Sequence, residues 1–351
     1  MIQKIKNFFS ESRYRKWLRA SIIIIYLIIV AGAIVRMTGS GMGCPDWPKC
    51  FGYYIPPTEE GELEFSPDTP YKKGMVIIVG EELKVAKEDF TTSTTYDATN
   101  WNNYTKHDYA VFNKFHTWTE YINRLIGALG GLVVLITAVI SFIYWKKRRK
   151  ITLLTVVALL AMLIQAVIGK IVVDTLLSPV LITIHMIVAL LIVGLLIYLL
   201  HEVQEKDTNY TAVKSMTRFA MVLIILTLIQ VVTGTQVRQY LDHQIDALGY
   251  PFLSAWLEDG PIIFYMHRSY SILLLVLHGV FIYKAVHNYG HPRRWYTSLA
   301  GLFVVTVFTG ILMNYFEFPL GSQAAHLVLA SVILGVQFYL WMRLKRSQIL
   351  E

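Results

Sequence analysis

Glu120-Tyr121-Ile122-Asn123-Arg124 opens an apolar run that continues from Leu125 to Trp145, and the reading of this stretch decides the fold. A run of that length crosses roughly 30 Å of hydrocarbon, which takes about 20 helical residues. A carboxylate, an amide and a guanidinium at its mouth are costly there. Hydrocarbon cannot solvate such groups, so in membrane spans they pair, face a cavity or hold a cofactor. The same outline returns as Tyr265-Met266-His267-Arg268, with histidine where the first copy has asparagine.

Seven further apolar runs accompany it, giving eight spans at about 17–36, 115–145, 152–173, 179–200, 215–237, 262–286, 295–315 and 320–342. With 55% apolar and 16% charged residues in 351, the chain is too apolar for a soluble domain and reads as an all-α polytopic membrane protein. The first run exceeds a signal-peptide core and no small-residue cleavage site follows it, so it is an anchor. An even number of spans puts both termini on one side. Lys4, Lys6, Arg13, Arg15, Lys16 and Arg19, then Lys146 to Lys150, Arg293, Arg294, Arg343, Lys345 and Arg346, all flank that side. Basic residues are retained in the cytoplasm, so cytoplasmic termini are expected. The opposite connections carry Asp46, Glu59, Glu60, Glu62, Glu64, Asp242, Asp246 and Asp259. The net charge of +8 belongs to this topology signal and implies no nucleic-acid partner.

The spans repeat. Gly32-Ala33-Ile34-Val35-Arg36 ends the first and Gly234-Thr235-Gln236-Val237-Arg238 ends the fifth. Gly169 lies 16 positions before His185 (185 − 169), and Gly310 lies 16 before His326 (326 − 310). From each histidine to the next matched glycine, Gly194 or Gly335, is 9 (194 − 185 and 335 − 326). These matches predict two pseudo-symmetric four-helix bundles related by a parallel repeat, residues 1–200 with the external loop 37–114, and residues 201–351. Within the loop, Met75 to Val79 followed by Leu83 to Lys87 is patterned as a short hairpin.

Histidines divide by depth. His107, His201, His243, His287 and His291 fall in loops or at span ends and read as solvated. His185, His267 and His326 sit inside spans, roughly 10 Å from the outer end at 1.5 Å per residue, and Asn123 shares their level. A lone buried histidine is as readily explained by a hydrogen bond to a neighbouring helix. His267 and His326, at repeat-matched positions on two spans, are better explained as the two axial ligands of a six-coordinate haem. Zinc would want further ligands at the same depth. Arg36, Arg124, Arg238 and Arg268 lie at outer span ends, where arginines also snorkel to the interface. Their pairing across the repeat favours binding haem propionates. His278, about 16 Å deeper than His267 and unmatched in the other half, reads as packed or water-linked. Cys44 and Cys50 lie on the expected external side, where a disulfide forms readily. A structural brace and a redox-active pair both remain open.

Taken together, Arg36-Met37-Thr38-Gly39-Ser40-Gly41-Met42, Cys44-Pro45-Asp46-Trp47-Pro48-Lys49-Cys50, Glu120-Tyr121-Ile122-x-Arg124, His185, Tyr265-Met266-His267-Arg268 and His326 resemble the heme A synthases of bacteria and mitochondria. The likeness covers the chain apart from much of 58–110. It implies oxidation of a methyl substituent of haem O to a formyl group, giving haem A for terminal oxidases. It also implies haem b as cofactor on His267 and His326, a substrate iron on His185, a functional glutamate in Glu120 and the family's cysteine pair in Cys44 and Cys50.

Asn123 departs from that pattern, which has histidine there. A neutral amide is a poor iron ligand, and His116, about 10 Å further out, is badly placed to substitute. A five-coordinate substrate haem is therefore expected, its open position suited to dioxygen beside Glu120 as proton relay. The partners implied are haem O, membrane lipid, a haem O synthase, an electron donor of unspecified kind and a second copy of the chain in a homo-oligomer. Two other classes compete. A membrane b-type cytochrome would need haems at several depths, whereas the matched positions share one layer. A non-catalytic haem carrier would not need Glu120.

Overall fold

The structure, a computed structural model, describes residues 10–80, 82–104, 112–204, 213–249, 256–257, 260–289 and 291–349. Lys4, Lys6, His107, Asp259 and the side chain of Asp246 lie outside the described residues.

Among those residues eight helices are long and apolar enough to span a membrane. They are α1 (Glu11–Met37), α2 (Lys114–Ser141), α3 (Arg149–Asp174), α4 (Pro179–Val203), α5 (Lys214–Leu248), α6 (Ile262–Tyr283), α7 (Arg293–Tyr315) and α8 (Ser322–Ile349). Their Leu, Ile and Val runs satisfy every backbone group within the segment, as hydrocarbon demands. Prolines mark the starts: Pro179 is the first residue of α4, and Pro261 and Pro292 immediately precede α6 and α7. At a helix start a missing N–H leaves no bond unmade. Leu160, Leu163, Leu191, Ile272 and Val304 are exposed along the spans, an apolar surface that calls for lipid around it. This is an all-α integral membrane protein.

One boundary departs from the hydropathy pattern. The fifth span was expected to end at Val237, yet α5 runs to Leu248 and stops at Gly249, whose φ of +80° suits glycine. Beyond Val237 the chain is polar but still a good helix former. Arg238 Nη2 bonds Asp242 Oδ1 at 2.8 Å one turn on, which helps hold the extension.

The chain divides into two compact units. The first comprises Met1–Ala33, Gly130–Gln165 and Thr183–Glu351. It holds two apolar clusters. One joins Tyr14, Leu18 and Ile25 of α1 to Val134 and Ile140 of α2, Ala158 of α3 and Leu196 and Leu199 of α4. The other joins Met216 and Leu223 of α5 to Leu274 and Phe281 of α6, Leu299 and Phe303 of α7, and Leu340 and Leu344 of α8. Polar cross-links within the first cluster run between hydroxyls, Tyr14 to Thr155 at 2.7 Å and Ser21 to Thr137 at 2.8 Å. In the second, Gln337 bridges Thr227 at 2.9 Å and His278, so the deep histidine is bonded into the bundle.

The second unit comprises Ile34–Leu129 and Ala166–Ile182. The patterned hairpin is present: β2 (Val76–Val79) pairs antiparallel with β3 (Glu82–Ala86), Val76 opposite Val85, and β3 pairs with β5 (Trp101–Asn103). A two-stranded pair, β1 (Pro70–Tyr71) and β4 (Phe90–Thr91), lies beside them in sequence. Val76 and Leu83 pack with Phe51, Leu63, Cys44 and Cys50, so the cysteine loop is part of this small core. The turns after α3 and α7 each put two successive residues, Leu176 and Leu177, then Glu317 and Phe318, in the left-handed region. Such residues each store on the order of 1–2 kcal/mol of strain.

Candidate functional site

His267 of α6 and His326 of α8 face each other, ring centroids 6.3 Å apart and planes at 62°. Both are half-buried. Their other nitrogens are held by one device used twice. Thr233 on α5 donates its hydroxyl hydrogen to the Gln230 carbonyl at 2.9 Å, which leaves the oxygen to accept from His267 Nδ1 at 3.1 Å. Thr309 on α7 donates to the Thr306 carbonyl at 2.7 Å and stands 2.9 Å from His326 Nδ1. That nitrogen also lies 3.0 Å from the Thr306 carbonyl, which can only accept, so Nδ1 carries the hydrogen. In both rings the lone pair is therefore on Nε2. Fixing one nitrogen as donor is how a protein sets a ligating histidine's tautomer and orientation.

Gly234 makes room for the His267 ring, while a side chain at Gly310 would make ordinary contact with His326. A Cβ on Gly234 would meet His267 Cε1 at 3.0 Å, and one on Gly310 would meet His326 Cε1 at 3.5 Å. Gln230 adds a bond from its amide to the His267 carbonyl at 2.9 Å. Thr233, Thr309 and Gln230 were not singled out from the sequence. The signal that would have found them is the Thr-Gly pair shared by α5 and α7, Thr233-Gly234 and Thr309-Gly310.

His185 on α4 is held differently. Its carbonyl accepts from Gln165 Nε2 at 2.9 Å, but its buried Nδ1 has no hydrogen-bond partner among the described residues, nor has Gln165 Oε1.

The remaining arginines of this unit sit apart in their roles. Arg238 bonds Gln323 Oε1 of α8 as well as Asp242. Arg268 is exposed and lies over the rings of Phe264 and Tyr265, 5.7 and 5.3 Å from their centroids.

In the second unit Glu120, buried, and Arg124, half-buried and one turn on along α2, form an ion pair and together grip the cysteine loop. Glu120 Oε2 accepts the Cys44 amide at 2.8 Å. Arg124 donates to the carbonyls of Asp46 at 2.8 Å and Lys49 at 2.9 Å. The sulfurs of Cys44 and Cys50 lie at bonding distance. Inside the loop Asp46 accepts the Gly52 amide at 2.9 Å, and burial pushes its carboxyl above the usual range. Thr117 of α2 donates to the Gly43 carbonyl at 2.8 Å, while a Cβ on Gly43 would stand 2.4 Å from the His116 carbonyl oxygen. Asn123 and His116 are half-buried on α2, and Arg36 closes the last turn of α1.

The structure thus brings His267 to His326, and Glu120 and Arg124 to Cys44 and Cys50. Among the described residues no three His, Cys, Asp or Glu side chains cluster together.

Known proteins converge on one family. The family described as cytochrome oxidase assembly protein, COX15-CtaA, matches residues 15–92 and 74–338. A heme A synthase of Bartonella bacilliformis is 25% identical over 363 residues, covering 95% of this chain and 92% of its own. That of Wolbachia pipientis is 23% identical over 358 residues, 94% of this chain and 92% of the other. That of Shewanella oneidensis is 23% identical over 357 residues, 92% and 96%. With the family match running through all eight spans, the chain belongs to the COX15-CtaA family of cytochrome oxidase assembly proteins.

Proposed function

We propose that the protein is a heme A synthase, a membrane oxidoreductase that converts the methyl substituent of haem O to a formyl group. The observation that carries this reading is the facing pair His267 and His326 with both Nδ1 atoms committed, in a chain that aligns with heme A synthases over nearly its whole length. The two rings, centroids 6.3 Å apart with both Nδ1 atoms hydrogen-bonded, would suit two imidazoles holding a haem. Bound between them, haem b supplies one-electron chemistry.

The other assignments follow the resemblance. His185 is the residue that would hold the substrate iron; Asn123 is a poor iron ligand by its chemistry, and His116 is the less suitable substitute. Arg36, Arg124, Arg238 and Arg268 are proposed for propionates. Arg268, exposed on α6 beside His267, is best disposed for this, whereas Arg124 is engaged by the cysteine loop. Glu120 is the proposed catalytic carboxylate. Its partners are both donors, the Cys44 amide and the Arg124 guanidinium. Cys44 and Cys50 are proposed to form a disulfide on the external side, with both termini cytoplasmic as the basic flanks indicate. The halves 1–200 and 201–351 hold the substrate haem and haem b respectively. A haem O synthase, an electron donor and a second copy of the chain are the proposed partners.

The test is co-expression with a haem O producer, extraction and chromatography of the haems. Haem A or its alcohol precursor is expected. Unchanged haem O would overturn the reading in favour of a b-type cytochrome or haem carrier.

A further inference from the structure

Of the three span histidines matched by the repeat, His267 and His326 have a threonine behind Nδ1, and His185 has none among the described residues. Thr233 and Thr309 each precede a glycine, each turn the hydroxyl hydrogen back onto the carbonyl three residues earlier, and each present the oxygen to an Nδ1, at 3.1 Å and 2.9 Å. The sequence offsets that match the halves put Ala31 before Gly32 and Ile168 before Gly169, side chains with no hydroxyl. Correspondingly, His185 keeps a buried Nδ1 without a partner among the described residues.

We infer that Thr233 and Thr309 are positioning residues that make the haem on His267 and His326 a resident one, and that the unsupported imidazole of His185 makes its haem exchangeable. This rests on the haem reading given above. A donor hydrogen bond from Nδ1 orients the ring and raises the basicity of Nε2, and losing such a partner typically costs 10–100-fold in metal affinity. An enzyme whose cofactor stays while a chemically similar porphyrin must enter and leave needs that difference. The hydroxyl oxygen has already spent its own hydrogen on the helix, so it cannot turn round and donate to the ring. At His267 the threonine therefore enforces one tautomer, which a water in its place would not; at His326 it acts together with the Thr306 carbonyl.

The experiment compares purified Thr233→Val and Thr309→Val with Thr233→Ser and Thr309→Ser, using apomyoglobin as haem acceptor and a redox titration of the bound low-spin haem. Valine keeps the shape and removes the oxygen. Thr233→Val is expected to lose haem b 10–100-fold faster, with a midpoint potential displaced upward because a less basic imidazole stabilises ferric iron less; Thr309→Val should show a smaller change of the same sign, because the Thr306 carbonyl still accepts from His326 Nδ1. The serine variants should behave as the parent does. In the parent reconstituted with haem O, that haem should leave faster than haem b, and Thr233→Val should narrow the gap from the haem b side. Parent-like release and potential in Thr233→Val would overturn the proposal, as would equal release of the two haems from the parent. Should a valine variant not accumulate, the parent's two release rates still decide. A parent whose low-spin signal survives His267→Ala and His326→Ala would refute the haem assignment itself, a result separable from the threonine comparison.

Discussion

Glu120→Ala should release the Cys44 amide, and the size of the effect can be worked out. That amide donates to Glu120 Oε2 at 2.8 Å, and the carboxylate is buried at 4% exposure against Arg124. A hydrogen bond to a charged group contributes about 1.5–3 kcal/mol. At 1.4 kcal/mol per factor of ten, its loss should raise hydrogen exchange at Cys44 by roughly 10–150-fold. Glu120→Gln keeps a neutral acceptor, and neutral bonds are about half as strong as charge-assisted ones, so about 1 kcal/mol is lost and exchange should rise roughly fivefold. The assay is amide exchange in detergent, read on the peptide covering 43–50, with a peptide from α7 as the unperturbed reference. Exchange at Cys44 unchanged in Glu120→Ala would refute the clamp. Equal acceleration in the alanine and glutamine variants would place the whole effect in the charge, whereas parent-like exchange in Glu120→Gln would show that the charge contributes nothing.

Gly43→Ala should fail to seat the loop against α2, because the added Cβ meets the His116 carbonyl oxygen at 2.4 Å and backbone cannot step aside cheaply. A loss of about 1–3 kcal/mol is expected, seen as faster proteolysis within 37–114 and a lower melting temperature; parent-like behaviour would contradict it. Two loop carboxylates should give opposite pH responses. Glu62 accepts from Thr58 N and Oγ1 at 2.7 and 2.9 Å and from Glu59 N at 3.0 Å, which holds its carboxyl below the usual range. Its contribution is present above the ordinary glutamate pKa and is lost as pH falls through the depressed value. Asp46 is pushed up by burial, so its contribution is present below the ordinary aspartate pKa and lost as pH rises through the raised one. Loop stability against pH, followed by proteolysis, should lose its acid limb in Glu62→Gln and its limb on the rising side in Asp46→Asn.

The spans were legible because a run of about 20 apolar residues is a compositional signal that survives without tertiary knowledge. The hairpin at 75–87 was legible from local pattern. The end of α5 was not, since hydropathy stops at Val237 while helix formation depends on backbone bonding and pairs such as Arg238 with Asp242. Nor were the turns at Leu176–Leu177 and Glu317–Phe318, where bulky residues occupy conformations that sequence ordinarily announces with glycine. In the site, the spacing of Glu120 and Arg124 was readable as one helical turn, but their hold on Cys44, Asp46 and Lys49 is tertiary. His267 and His326 were found by repeat matching; the threonines behind them were not, because a Thr-Gly pair in an apolar span has no meaning until the rings are placed.

The grip of α2 on the cysteine loop also sets an order of events during synthesis. Cys44 emerges 76 residues before the carboxylate that receives its amide. At about 5–20 residues per second, the loop waits on the order of 4–15 s before α2 can lock it. For that interval the segment is an open strand carrying two thiols, within reach of whatever oxidises, delivers or inspects the chain. Once Glu120 and Arg124 arrive, that access closes.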